Sequence, residues 1–160
     1  MYQKRIETNI AVYRFDELDA ADQALLNKAK EQVAKSYVPY SHFHVGAAVR
    51  LANGEVLAGS NQENAAYPSG LCAERVTLFY ANAQHPEVPV RALAIAGWTN
   101  GHFLEQPITP CGACRQVLLE TETRYGQDIR VLLYGAECVY VLERASDLLP
   151  LCFVRDSMEG

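Results

Sequence analysis

The chain reads as an α/β protein of three layers, with a mixed sheet of about five strands between helices. Three observations predict this. Segments with apolar residues at helical spacing interleave with segments at strand spacing. Asn53-Gly54 separates two strand-like runs, the strongest short hairpin signal, so part of the sheet is antiparallel. Val90 to Trp98 is almost continuously apolar, as a strand covered on both faces tends to be.

Residues 1–15 read as an N-terminal arm, irregular or extended. Asp16 can cap a helix, with Asp19 in its first turn, where the helix dipole favours a carboxylate. Leu18, Ala21, Leu25, Ala29 and Val33 then share one face. That helix ends near Tyr37-Val38-Pro39, because the residue before proline avoids the α region. Val45, Ala47, Val49 and Leu51 alternate with smaller or polar neighbours, and Glu55 to Ser60 returns as the partner strand. Cys72 to Ala83 is helical in pattern, with Val76, Phe79, Tyr80 and Ala83 on one side. After the strand at Val90, Cys111 to about Glu122 forms another helix, with Pro110 just before it. Ile129 to Tyr134 and Cys138 to Glu143 are strand-like, and Ala145 to Leu149 suits a short helix stopped at Pro150. A strand-helix-strand connection between 90 and 134 makes its two strands parallel and the crossover right-handed. No linker or repeat divides the chain, so residues 1–160 read as one domain.

Composition narrows the class of function. The chain has 160 residues, enough for one buried core and too few for two ordinary domains. Its formal charge is −5, with no local basic patch, which argues against a nucleic-acid partner. No apolar run approaches the roughly 20 residues that span a bilayer, so no membrane partner is expected. Charged residues punctuate the first fifteen positions, which lack the apolar stretch of a secretory signal, so a cytoplasmic location is expected. Five cysteines in such a chain are thiols and metal ligands sooner than disulfides.

The chemistry is concentrated in Cys72-Ala73-Glu74 and in Pro110-Cys111-Gly112-Ala113-Cys114. Both groups fall at helix N-termini, where unpaired amides and the dipole favour thiolate over thiol. Cys111 and Cys114 are one turn apart, and Cys72 on a second helix completes a three-sulfur base for one Zn²⁺ per subunit. Three protein ligands leave a position for water, the arrangement of a catalytic site, and Glu74 stands beside it to move the proton. A site that only staples the fold would call for a fourth ligand. Cys138 and Cys152 sit in apolar contexts that suit buried thiols, and His42, His44, His85 and His102 have no ligand spacing. Three thiolates leave the site negative. Arg75 and Arg115, each directly after a motif, are placed to offset this; Arg75 is the choice for donating to a cysteine sulfur, with a solvent-facing position as its alternative.

At these residues the sequence resembles cytidine deaminase of the short, homotetrameric, three-cysteine type. The resemblance runs from Pro39 to Phe153, through Tyr40-Ser41-x-Phe43-x-Val45-Gly46, Asn61-x-Glu63-Asn64-Ala65-Ala66-Tyr67, Cys72-Ala73-Glu74-Arg75, Pro110-Cys111-Gly112-Ala113-Cys114-Arg115-Gln116 and Leu148-Leu149-Pro150-x-x-Phe153. It implies a cytidine deaminase-like fold and hydrolysis of cytidine and deoxycytidine to uridine and deoxyuridine with release of ammonia, in pyrimidine salvage. Glu74 would pass a proton from water to ring N3, hydroxide would attack C4, and Glu74 would next protonate the departing amino group. Cysteine in place of histidine at the first ligand goes with free nucleosides as substrates. By the same resemblance Asn61 and Glu63 bind the ribose, Phe43 packs on the pyrimidine, and the backbone of Ala73 binds the base O2. The Thr109 carbonyl could accept from the amino group. Tyr67 and Phe153 reach a neighbouring subunit's site in a homotetramer. The alternatives are turn chemistry for Asn61, core packing for Phe43, and intrachain packing for Tyr67 and Phe153. His44 stands where the family often has proline. The N-terminal stretch and the loop Thr99 to Gln106 have no counterpart. Competing readings are a deaminase of modified cytosine nucleosides such as blasticidin S, a zinc-stapled binding protein, and a polynucleotide-editing deaminase; intact Asn61, Glu63 and Glu74 and the acidic charge favour deamination of cytidine and deoxycytidine over all three.

Overall fold

Strand β2 (His44–Leu51) is buried on both sides, and each side has its own core. Val45, Ala47, Val49 and Leu51 belong to one cluster and Ala48 to the other, as the two-residue period of a strand requires. In the computed structural model, which describes residues 1–159, helix α1 (Ala20–Gln32) covers the second face through Leu25, Leu26 and Ala29. Helices α2 (Ala73–Gln84) and α3 (Gly112–Tyr125) supply Leu78, Ala81 and Leu118 to the first. The result is three layers, α/β/α, as expected. Gly46 lets α1 lie directly on β2: a Cβ there would meet the Ala29 carbonyl oxygen at 2.0 Å.

The sheet has seven strands where about five were expected. Its order is β1-β7-β6-β4-β2-β3, with β1 at Ala11–Tyr13, β3 at Val56–Ser60, β4 at Val90–Thr99, β6 at Arg130–Tyr134 and β7 at Val139–Leu142. The β4–β6 pair is parallel, and the other pairs are antiparallel. The two additional strands are short. β1, within the expected arm, pairs with β7, and β5 (His102–Phe103) folds back on β4. Asn100 and Gly101 make that fold-back with φ of 52° and 87°, the positive values that a tight two-residue hairpin needs.

Helix boundaries moved where side chains found better partners. Asp19, not Asp16, caps α1: its carboxylate accepts from the Asp22 amide at 2.8 Å, and Asp16 lies in a 3₁₀ turn, Phe15–Glu17. The α helix ends at Gln32 and is followed by a 3₁₀ turn, Val33–Lys35. Its buried face is also rotated from expectation. Ala21 is exposed, while Asp22 is 1% exposed and bonds Arg50 at 3.2 Å and Arg130 at 2.9 Å. Those arginines make burial of a carboxylate tolerable. On α2, the face of Val76, Phe79, Tyr80 and Ala83 is not the core face: Phe79 and Tyr80 are about half exposed, and Ala73, Glu74, Thr77, Leu78 and Ala81 are buried instead. The segment after β7 forms a 3₁₀ turn, Ala145–Leu148, and a further short helix α4, Asp156–Glu159. Among the described residues, no helix is long and apolar enough to cross a membrane.

Candidate active site

Topology brings the two cysteine motifs to one rim. β3 and β4 are each antiparallel to β2, so both run the same way and end at the same edge of the sheet. The chain enters α2 after β3 and α3 after β4 and β5. The N-termini of both helices therefore lie above strand carboxyl ends, the usual place for a site in an open α/β sheet. Cys72 and Cys111 are the N-cap residues of α2 and α3, and neither sulfur caps its own helix. Cys114 follows one turn into α3 and is fully buried.

The three sulfurs fit zinc. All lie within 4.8 Å of one another, with Cys72–Cys111 at 3.8 Å and Cys111–Cys114 at 3.5 Å. A tetrahedron with Zn–S bonds of about 2.3 Å has edges of about 3.8 Å, so this donor set needs little movement to hold the ion. The thiols hold their protons unequally. The Cys114 thiol, then Arg75, pull Cys72 down to about 5, against the opposing effect of burial. Cys114 goes the other way, since it donates to Cys72 and is buried.

Glu74 is 4% exposed, in the first turn of α2. Burial pushes its carboxyl up to about 7, aided by the nearby Cys72 thiolate and opposed by its own backbone amide and the Cys114 thiol. A carboxyl in that range exchanges protons readily at neutral pH. Arg75 donates to the Cys72 sulfur at 3.7 Å, and its Nε is buried without a hydrogen-bond partner among the described residues. Arg115 turns elsewhere, to the carbonyls of Pro110 and Leu148. The structure thus separates the two candidate cations.

A cavity of about 540 Å³ opens beside Cys72. Arg75, Asn61, Glu63 and Tyr67 line it, and Tyr67 also packs edge-on to Tyr40, with ring centroids 6.2 Å apart. Asn61 is already engaged: its carbonyl accepts from the Val45 amide at 2.8 Å and its amide donates to the Phe43 carbonyl at 2.9 Å. Each end of a carboxamide retains a second hydrogen-bonding position. One Glu63 oxygen accepts from the amides of Tyr40 and Ser41 at 3.0 and 3.2 Å. The Ser41 hydroxyl, then these amides, hold its carboxyl below the usual range. Phe43 is half-buried against the core, outside the cavity lining. Ala73 is buried at the start of α2. Phe153 is 59% exposed, its carbonyl held by Gln116 at 2.8 Å. Cys138 is half-buried and Cys152 exposed, against the expectation that both are core thiols, because their neighbours lie at a strand entry and in the C-terminal segment.

Residues 19–125 match the family model for the cytidine and deoxycytidylate deaminase zinc-binding region. The chain belongs to this family. A cytidine deaminase from Halalkalibacterium halodurans is 38% identical over 136 residues, covering 85% of this chain and 96% of that protein. Among solved structures, the chain is similar to cytidine deaminase from Burkholderia pseudomallei, with TM-score 0.69 and 43% identity over 81% of this chain and 97% of that one. Cytidine deaminase from Mycobacterium tuberculosis follows at TM-score 0.65 and 32% identity, over 85% of this chain and 99% of that one. The mixed α/β sheet with its flanking helices is the fold of these cytidine deaminases. Within this deaminase fold, sequence reasoning assigned no role to Tyr40, Ser41, Asn64 or Leu71, which line the cavity. Tyr40, Ser41 and Asn64 stand in the segments that carry the resemblance, which was their signal; Leu71 lies outside those segments, and loop residues carry no period.

Proposed function

We propose that this chain hydrolyses the exocyclic C–N bond of cytidine and deoxycytidine, giving uridine or deoxyuridine and ammonia. The observation that carries the reading is the three-sulfur cluster with the buried Glu74 carboxyl near Cys72 and Cys114, and a cavity of about 540 Å³ that Cys72 lines. Cys72, Cys111 and Cys114 would hold a zinc ion, which would supply the Lewis acid that makes water a nucleophile near neutral pH. Glu74 takes one proton from water and gives it to ring N3 as the water oxygen bonds to C4; it then takes the remaining hydroxyl proton and passes it to the amino nitrogen, so that the C–N bond breaks, ammonia leaves and the C4 carbonyl forms. Its burial favours this exchange, because neither protonation state is strongly preferred near neutral pH. Arg75 returns positive charge to a site that three thiolates leave negative. The Ala73 amide, in the first turn of α2, donates to the base O2. Asn61 and Glu63 take the ribose 3′-hydroxyl with the hydrogen-bonding positions their backbone partners leave open. Phe43 packs on the pyrimidine.

The working form in this reading is a homotetramer of single-domain chains, with Tyr67 and Phe153 completing neighbouring sites. Their exposures of 78% and 59%, with the exposed Phe79 and Tyr80 face on α2, support it. The setting is pyrimidine salvage in the cytoplasm. The test is conversion of cytidine to uridine with one ammonia per uridine by zinc-loaded protein. Glu74→Gln should keep its zinc and lose turnover about 10²- to 10⁴-fold. Near-native turnover in that variant would remove Glu74 from the reaction.

A further inference from the structure

Arg115 directly follows a predicted zinc ligand, yet its guanidinium serves the backbone. Nε donates to the Pro110 carbonyl at 2.8 Å, Nη1 to the Leu148 carbonyl at 2.9 Å, and Nη2 reaches the Thr109 hydroxyl at 3.5 Å. Thr109 and Pro110 are the two residues that deliver Cys111. Leu148 ends the 3₁₀ turn that begins the C-terminal segment. The next residue of α3, Gln116, donates to the Phe153 carbonyl at 2.8 Å. Two turns further on, the buried Glu122 carboxylate accepts from the amides of Ala145 and Ser146 at 2.7 and 2.9 Å. One helix therefore grips the segment 145–153 at three places, and at Arg115 it also grips the loop before Cys111.

A guanidinium is planar, and its donors form a rigid fork. Groups bound to it are fixed relative to one another, which the single charged head of lysine on its flexible stem does not achieve. We propose that Arg115 is a positioning residue that sets the loop 109–111 and the C-terminal segment in one register, with Gln116 fixing the Phe153 end. The loop half of this needs only the geometry above. The tail half rests on the reading that Phe153 completes a neighbouring subunit's site.

The experiment compares Arg115→Lys, Arg115→Met and Gln116→Met in the full-length, zinc-loaded protein. Three quantities are read: amide exchange at 145–149, zinc affinity by chelator competition, and KM against kcat for cytidine. Both Arg115 variants are expected to speed exchange at 145–149 and to weaken zinc binding, each about tenfold or more. Lysine should not rescue, because it keeps the charge and loses the fork. Gln116→Met should raise KM while leaving kcat and zinc affinity near native. Native exchange and zinc affinity in Arg115→Met, or full rescue by lysine, would overturn the positioning role. Should both Arg115 variants fail to fold, Gln116→Met decides the tail half: an unchanged KM overturns it. Exchange and zinc affinity need no turnover. If native protein left cytidine untouched while the Arg115 variants still loosened both, the substrate reading would fail and the positioning role would stand.

Discussion

The Arg75 guanidinium lies 3.7 Å from the Cys72 sulfur, one turn along α2 from the residue that caps it. Three thiolates on a divalent ion leave net negative charge, which weakens the ion as an electrophile, and in the proposed role Arg75 would take part of that charge back. Arg75→Gln is expected to lower turnover about tenfold to hundredfold at full zinc loading. Metal analysis with steady-state kinetics checks this; native turnover in the variant would release Arg75 from the role.

Zinc uptake should release fewer than three protons per ion at pH 7. Cys72 sits at about 5 in the metal-free chain, so its proton is already gone, while Cys114 keeps its own until the metal displaces it. An indicator dye in weakly buffered solution reads the count. Cys114→Ala should lose stoichiometric zinc and Cys138→Ala should keep it; unchanged metal in the first would show the ligand set to be wrong.

Asp22→Asn should destabilise the chain by about 1–3 kcal/mol without changing turnover per folded molecule. The substitution leaves Arg50 and Arg130 facing a buried neutral group, and the cost stays below that of a fully buried pair because each arginine keeps about a quarter of its surface in water. Urea unfolding at fixed zinc concentration measures it. A change near zero would make the triad incidental to stability.

If the chain works as the proposed homotetramer, Phe79→Glu should dissociate it and take activity with it. Phe79 is 47% exposed on the apolar face of α2, where a carboxylate would need solvent. Sedimentation of native and variant protein, read against activity, checks the point; a fully active monomer would contradict a shared site.

The metal cluster was legible because its residue types and helix-start spacing carry the chemistry themselves, and the interleaved periods gave the layers. What sequence reading missed depended on partners far along the chain. Asp22 is buried through Arg130, 108 positions away, which no local period encodes. β1 and β5 are three and two residues long, too short to alternate legibly. Asn100-Gly101 carries the same turn signal as Asn53-Gly54, but only a two-residue strand follows it. The Val76, Phe79, Tyr80 and Ala83 face has a genuine helical period, yet in the single chain Phe79, Tyr80 and Ala83 are exposed and Val76 is only half-buried. Periodicity reports that a face is apolar and does not say which surface covers it.

The most direct measurement is ammonia release by zinc-loaded protein from cytidine, with cytidine monophosphate and a cytosine-containing oligonucleotide alongside. Release from cytidine, with the phosphorylated compounds inert, is the predicted result. Release from the oligonucleotide or the monophosphate, with cytidine untouched, would contradict the assignment of a free nucleoside to this cavity.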